Sequence, residues 1–576
     1  MGDNDHGDDC TGCAPDPALA GRVTAPTGRT AAGPGPDDER PAPDRAELLV
    51  TGRIVTLDPG RPGARAMAVS GGRIIGLGSP EDLEGLVGVS TQLLDAGDSV
   101  VFPGFVEPHM HLWGTAVVDT WNDCSTPVCP TFDSVMDLLA DRAAAAPPGQ
   151  WVLGKLFDPS LYDGEPELHR DLLDRVAPDN PVAVVNASLH FVYANSRALE
   201  ASGLTDDTPD PPGGTFGRTD GRLNGVAGEM PAILAVMAGA PVAGADEYAA
   251  TVAGITVRAA RAGITRIHEA ATGALFGPAE VDLLRGLADD GRLAVRVSAA
   301  VLSHAAPAFT EAGITPFSGD DRVRVTSCKI IADGSNQGRS GYLDDPYLGS
   351  SDRGAANLAP GELVGQIRAG HEAGWQVMVH ANGDAAIAMT VDAYDEALAG
   401  ASGLGLRHRI EHCSLATATD LRRMGRLGIS PSFLMNHVYY WGAAFRDTIL
   451  GGERAGRLDP ARTALDAGLR ISLHSDHSVT PLEPLRSAQT AVTRRTWRGD
   501  AELNGAERVT VGEALAAVTT DAAWQLHSED DLGSLAVGKL ADFCLLSADP
   551  TSTPGAELAD ITVAATYVGG RPVWTS

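Results

Sequence analysis

Short β-rich runs alternate with amphipathic or Ala-rich stretches through most of this chain, and that alternation restricts its fold more than any other feature. Candidate strands begin near Phe105, Val182, Ile264, Ala294, Val323, Gln376, Arg407, Ile429 and Ile471. Helical segments such as Gly361–Ala373, Asp384–Ala399 and Asp459–Gly468 separate most of them. Strand then helix, repeated, predicts a parallel sheet with helices outside it. The full set is one strand too many for an eight-stranded barrel. The connection from His111 to Ile264 is far longer than the others and contains the run near Val182. Treating residues 115–255 as an insertion leaves an α/β fold, a (β/α)8 TIM barrel over 103–531, with its active site expected at the C-terminal strand ends.

The two ends of the chain carry β-rich pairs of their own. "LLVTGRIVTLDP" (Leu48–Pro59) and "VSGGRIIGLG" (Val69–Gly78) are echoed by "GSLAVGKLADFCLL" (Gly533–Leu546) and "ATYVGGRPVW" (Ala565–Trp574). Neither pair makes a stable sheet alone. Residues 46–102 and 532–576 are therefore expected to fold together as a small β-sandwich domain. Residues 1–45, rich in Gly, Pro, Ala and Asp, read as a disordered tail. Its CxxC, Cys10 and Cys13 near His6, has no second pair beside it.

A net charge of −31 argues against nucleic acid or an anionic membrane as partner. No secretory signal and no long apolar run is visible, and the seven cysteines are too scattered for a disulfide framework. A cytoplasmic enzyme acting on a small molecule is the expectation, with a homodimer the default on fold analogy.

Polar residues collect at the expected rim. The first strand, in "FPGFVEPHMHL" (Phe102–Leu112), ends in His109 and His111, which alternation places on one face. The fourth, "VRVTSCKIIADGS", carries Lys329; the fifth, "QVMVH", ends at His380; the sixth, "RHRIEH", at His412; the eighth, "ISLHSD", at Asp476. Singly, each has an ordinary reading: a hydrogen-bonded strand-end histidine, a lysine on a half-exposed strand, an aspartate capping a helix. Their coincidence at one rim points instead to a catalytic divalent metal, zinc first, held by imidazole and carboxylate donors with one position open.

This pattern resembles the metal-dependent amidohydrolase superfamily: HxH on strand one, Lys on four, His on five and six, Asp on eight. "FPGFVEPHMH", "KIIADGSNQG", "VHANGDAAI", "RIEHC" and "PDPPGG" (Pro209–Gly214) are similar to the amidohydrolase 3 subgroup, which includes N-substituted formamide deformylases. The resemblance covers residues 46–576. It implies one or two metal ions, with His109, His111 and Asp476 holding the buried ion and His380 and His412 the exposed one. Lys329 would bridge them as a carboxylated lysine, since a carbamate ligates a cation whereas an ammonium is repelled. It further implies hydrolysis of a non-peptide C–N bond of an amide, formamide or cyclic amide, with Asp476 as general base and acid.

Further residues are expected to line the substrate pocket: His190 and Asn195 in "HFVYANSRAL", His268 and Glu269 in "ITRIHEA", Gln337 and Arg339 in "DGSNQGRSGY", His437 and Trp441 in "NHVYYWG", and His477. For each, a structural hydrogen bond or packing contact is the competing reading. A deaminase or non-hydrolytic lyase on the same scaffold, or a catalytically silent metal-binding regulatory protein, are the alternatives for the chain as a whole.

Overall fold

The computed structural model describes residues 45–164, 166–398, 405–497 and 501–576. Apart from residue 45, the expected N-terminal tail, with Cys10 and Cys13, lies outside them. Eight parallel strands follow one another in order around the central sheet: Phe105–Met110, Ile264–Thr272, Arg296–Leu302, Val323–Ile331, Gln376–Ala381, Arg409–His412, Ser430–Phe433 and Ser472–Leu473. A short strand, Ser318–Gly319, pairs antiparallel with the fourth. The barrel strands bury nearly every residue because helices cover their outer face. At the seam between the last strand and the first, backbone bonds run from Asp476 N to His109 O (3.2 Å) and from His111 N to His477 O (2.7 Å). Those bonds fix the loop carrying Asp476 against the strand end carrying the two histidines.

Strands from both ends of the chain share one seven-stranded sheet. Its order is Arg571–Thr575, Val563–Val568, Phe543–Leu546, Gln92–Pro103, Leu48–Val55, Gly63–Ser70 and Arg73–Gly78. One apolar cluster (Val50, Ile54, Met67, Val101, Phe543 and Tyr567 among others) joins the two halves. The long strand Gln92–Pro103 runs straight into the first barrel strand, with only Gly104 between them. Here Gly104 is obligatory, because an added Cβ would lie 2.2 Å from Thr265. Beneath this junction, Arg296 of the third barrel strand forms a buried fork with Asp542, Nε to Oδ2 at 2.8 Å and Nη2 to Oδ1 at 3.0 Å.

The insertion builds a six-stranded sheet of its own from Asn122–Asp123, Val152–Phe157, Val182–Asn186, Phe191–Ala194, Thr215–Thr219 and Arg222–Gly228. Helix Ala245–Arg261 starts inside the range read as insertion, yet its apolar stripe (Tyr248, Val252, Ile255, Ala259) is buried in the main barrel core. The helix belongs to the barrel, so the inserted sheet ends ahead of it.

Replacing Asp542 by Ala strands a buried guanidinium and is expected to cost about 3–5 kcal/mol of stability, read from the urea unfolding midpoint. A loss below about 1 kcal/mol would mean that Asp321, 2.8 Å from Arg296 Nη1 on its exposed side, carries the arginine alone.

Candidate metal centre

The barrel interior is charged below the rim. Arg409 and Glu411 alternate onto the same face of the sixth strand and pair through two bonds of 2.7 Å, both side chains fully buried. Burial opposes ionisation of Glu411, but the guanidinium beside it holds its carboxyl well below the usual carboxylate range. An ionised carboxylate only accepts, so His109 must donate its Nδ1 proton to Glu411 Oε2, 2.5 Å away. His109 therefore turns a bare Nε2 lone pair toward the rim.

That lone pair faces Asp476 Oδ1 at 3.2 Å, and His111 Nε2 lies 3.2 Å from the same oxygen. Burial works against Asp476 ionising, yet His111 and His412 beside it hold its carboxyl well below the ordinary range. Asp476 Oδ1 makes no hydrogen bond with proper geometry among the described residues. A carboxylate oxygen and a lone-pair nitrogen at this separation repel unless a positive charge, the Lys329 ammonium or a metal ion, lies beside both. One donor atom each from His109, His111 and Asp476 lies within 4.8 Å of the others, as a metal ion requires. Both ring nitrogens of His412 are buried with no hydrogen-bond partner among the described residues, and Nδ1 lies 4.0 Å from Asp476 Oδ2. Orphaned buried donors and acceptors cost about 1–3 kcal/mol each. These residues fit a divalent cation.

Lys329 Nζ stands 3.3 Å from His109 Nε2, fully buried, and burial pulls its amine down to about 8. The His380 ring lies 4.4 Å from that of His412, and its Nε2 lies 3.0 Å from both Gly334 O and Asn382 Nδ2. The backbone at the two pivotal strand ends is left-handed, φ 63° at His412 and 53° at Asp476. Such conformations are costly for residues with a Cβ and concentrate at functional sites.

Other residues expected in the pocket divide. His190 lies 5.9 Å from His380, ring to ring. His437 is buried after the seventh strand with both nitrogens unpartnered among the described residues, as is Gln337 Oε1. Trp441 donates Nε1 to Asp158 of the insertion at 2.9 Å, and Arg339 Nη2 reaches Thr448 O at 3.1 Å, so both tie rim loops together. His477 donates Nδ1 to Thr480 O within its own loop.

Three expectations fail. Asn195 is not substrate-facing: its oxygen accepts from Val182 N and Ala198 N, and its amide donates to Ala177 O and Asn180 O, capping helix Ser196–Ala201. His268 is sealed inside the barrel between Ser298 Oγ (3.0 Å) and Met378 Sδ (3.2 Å). Glu269 spends its oxygens on the backbone N–H groups of Leu112, Trp113 and Ala271, holding the helix that follows His111.

Sequence reading also missed four groups. Glu411 and Arg409 form the pair already described. His474 stacks on His109 at 4.6 Å, and Glu107, accepting from Ser475 N at 3.1 Å, is pushed up to about 8 by burial. Their signal was present as i, i+2 spacing from a candidate ligand: Glu107 to His109 and His474 to Asp476.

Glu411→Gln keeps the shape but removes the charge that sets the His109 tautomer. Divalent-metal affinity is expected to fall about 10–100-fold in chelator competition. Unchanged affinity would show that His109 is oriented by packing alone.

The amidohydrolase family model matches residues 92–574. An N-substituted formamide deformylase from Arthrobacter pascens is 30% identical, with 91% of this chain and 97% of that protein covered. A putative amidohydrolase, YtcJ, from Bacillus subtilis is 27% identical over 88% of this chain and 96% of its own length. A crystal structure of an uncharacterised metal-dependent hydrolase from Pyrococcus furiosus superposes with a TM-score of 0.67, 23% identity, and 88% and 100% of the two chains covered. The chain belongs to the amidohydrolase family, in its amidohydrolase 3 group.

Proposed function

We propose that this amidohydrolase cleaves the C–N bond of a small N-substituted amide, formamides first, using Asp476 to move the proton. The observation that carries the reading is the Asp476 carboxylate, 3.2 Å from both His109 and His111 and ringed by imidazoles unpartnered among the described residues. His109, His111 and Asp476 would hold a divalent ion, with His380, His412 and Lys329 available for a second; imidazole and carboxylate donors favour zinc. Such an ion supplies Lewis acidity and lowers the pKa of a water toward about 7.

The chain's own groups then account for the proton. Asp476 accepts it from the attacking water as the C–O bond forms, and returns it to the nitrogen as the C–N bond breaks. For a formamide the products are formate and the free amine. Formamides come first because the relative from Arthrobacter pascens carries that activity in its name.

Asp476→Asn should retain much of the metal and lose about 10²–10⁴ in kcat/KM on an N-substituted formamide. Turnover near the wild-type rate would remove Asp476 from the mechanism. Chelation should abolish turnover, and added zinc should restore it.

Lys329 fits the role of a carbamate bridge, because its amine attacks CO₂ only when neutral. With the amine pulled down to about 8, the neutral fraction rises as pH climbs through that value and disappears below it. Metal-free protein given ¹³C-bicarbonate should therefore show a carbamate ¹³C signal that is stronger at high pH than at low pH, and that is absent in Lys329→Ala. No signal at any pH would leave Lys329 an unmodified amine.

A further inference from the structure

The insertion brings a clamped pair to the candidate centre. His190 Nδ1 lies 2.9 Å from Glu229 Oε2, and Glu229 N donates back to His190 O at 2.8 Å. The clamp is paid for in backbone: Glu229 is left-handed (φ 65°) at the N-cap of helix Met230–Met237, yet its side chain caps nothing. A residue that forgoes its cap and accepts an unfavourable φ is being held for another purpose. Burial alone would keep Glu229 protonated, but His190 lowers it, so its oxygen accepts and Nδ1 keeps its proton whether the ring is neutral or charged. His190 Nε2 makes no hydrogen bond among the described residues, and the ring lies 5.9 Å from His380.

We infer that Glu229 is a positioning residue which, through Nδ1 of His190, presents Nε2 to the amide group of the substrate beside His380. This rests on the amidohydrolase reading of the same site. The barrel would thus supply the metal ligands and the proton carrier, and the inserted sheet a directional contact to the bond being cut. Neither Glu229 nor His190 is among the ligands, so the pair acts on the substrate side.

The test uses the metal-loaded full chain, with formanilide as probe because released aniline is read directly. Glu229→Gln should lower kcat/KM about 10–100-fold, by analogy with other partners that orient a functional histidine, with metal content and thermal midpoint unchanged. His190→Ala should lose at least as much. The double variant should be no worse than His190→Ala, since Glu229 works only through that ring. Additive losses would overturn the inference. A second readout needs no turnover: in ¹⁵N-histidine-labelled protein, the resonances lost in His190→Ala should report a protonated Nδ1, and Glu229→Gln should shift them. A bare Nδ1 in the wild type, or no shift in the variant, also overturns it. Wild-type protein inert toward formanilide would count against the formamide reading, while the nitrogen resonances still decide the role of Glu229.

Discussion

An ion pair sealed inside the barrel governs the candidate centre. Arg409 and Glu411 are both fully buried, an arrangement that costs more in desolvation than hydrophobic side chains of the same size would. What the pair provides is a fixed electrical state. The guanidinium keeps Glu411 ionised, Glu411 fixes the tautomer of His109, and His109 turns its lone pair toward Asp476. Lys329 Nζ, 3.3 Å from Nε2 on the other side of the ring, favours the same tautomer, so the acid and the amine together select which nitrogen of His109 carries the proton. Arg409 also donates to Pro108 O at 3.0 Å, so the residue that sets the charge braces the strand bearing the histidine.

Around that axis the loops are cross-linked rather than free. Trp441 to Asp158 joins the seventh loop to the insertion, Arg339 to Thr448 joins the fourth loop to the seventh, and Asn436 to Thr480 (3.2 Å) joins the seventh to the eighth. A rim tied at so many points holds its donors in place before substrate arrives, which is what electrostatic preorganisation requires.

Much of this was legible in the sequence because strand periodicity is simple. Eight buried runs in chain order suffice to number a barrel, and polar residues ending such runs must meet at its rim. This placed His109, His111, Lys329, His380, His412 and Asp476 together. It misplaced Asn195, His268 and Glu269, because a polar side chain beside a site looks the same in sequence whether it faces substrate or caps a backbone. Asn195 lies before a helix, where an N-cap is the commoner reading. His268 sits in mid-strand, below the rim. Arg409 and Glu411 escaped notice because charged residues inside a barrel contradict the expectation of an apolar core, and only their mutual geometry makes them tolerable. Glu229 carries no local signature at all; its partner lies 39 positions away, across a sheet whose pairing the sequence does not spell out.

The strand Gln92–Pro103 has a consequence for how the molecule is made. It leads into the first barrel strand, yet one of its neighbours in the ladder is Phe543–Leu546, with Phe102 opposite Cys544. During synthesis the barrel is nearly all emerged before that partner exists, so one side of the strand stays open through most of translation. Unpaired edges recruit other chains, and contacts this distant in sequence form slowly. The segment from Phe543 onward therefore acts as a closing seal, and the nascent protein is most vulnerable to association just before it arrives.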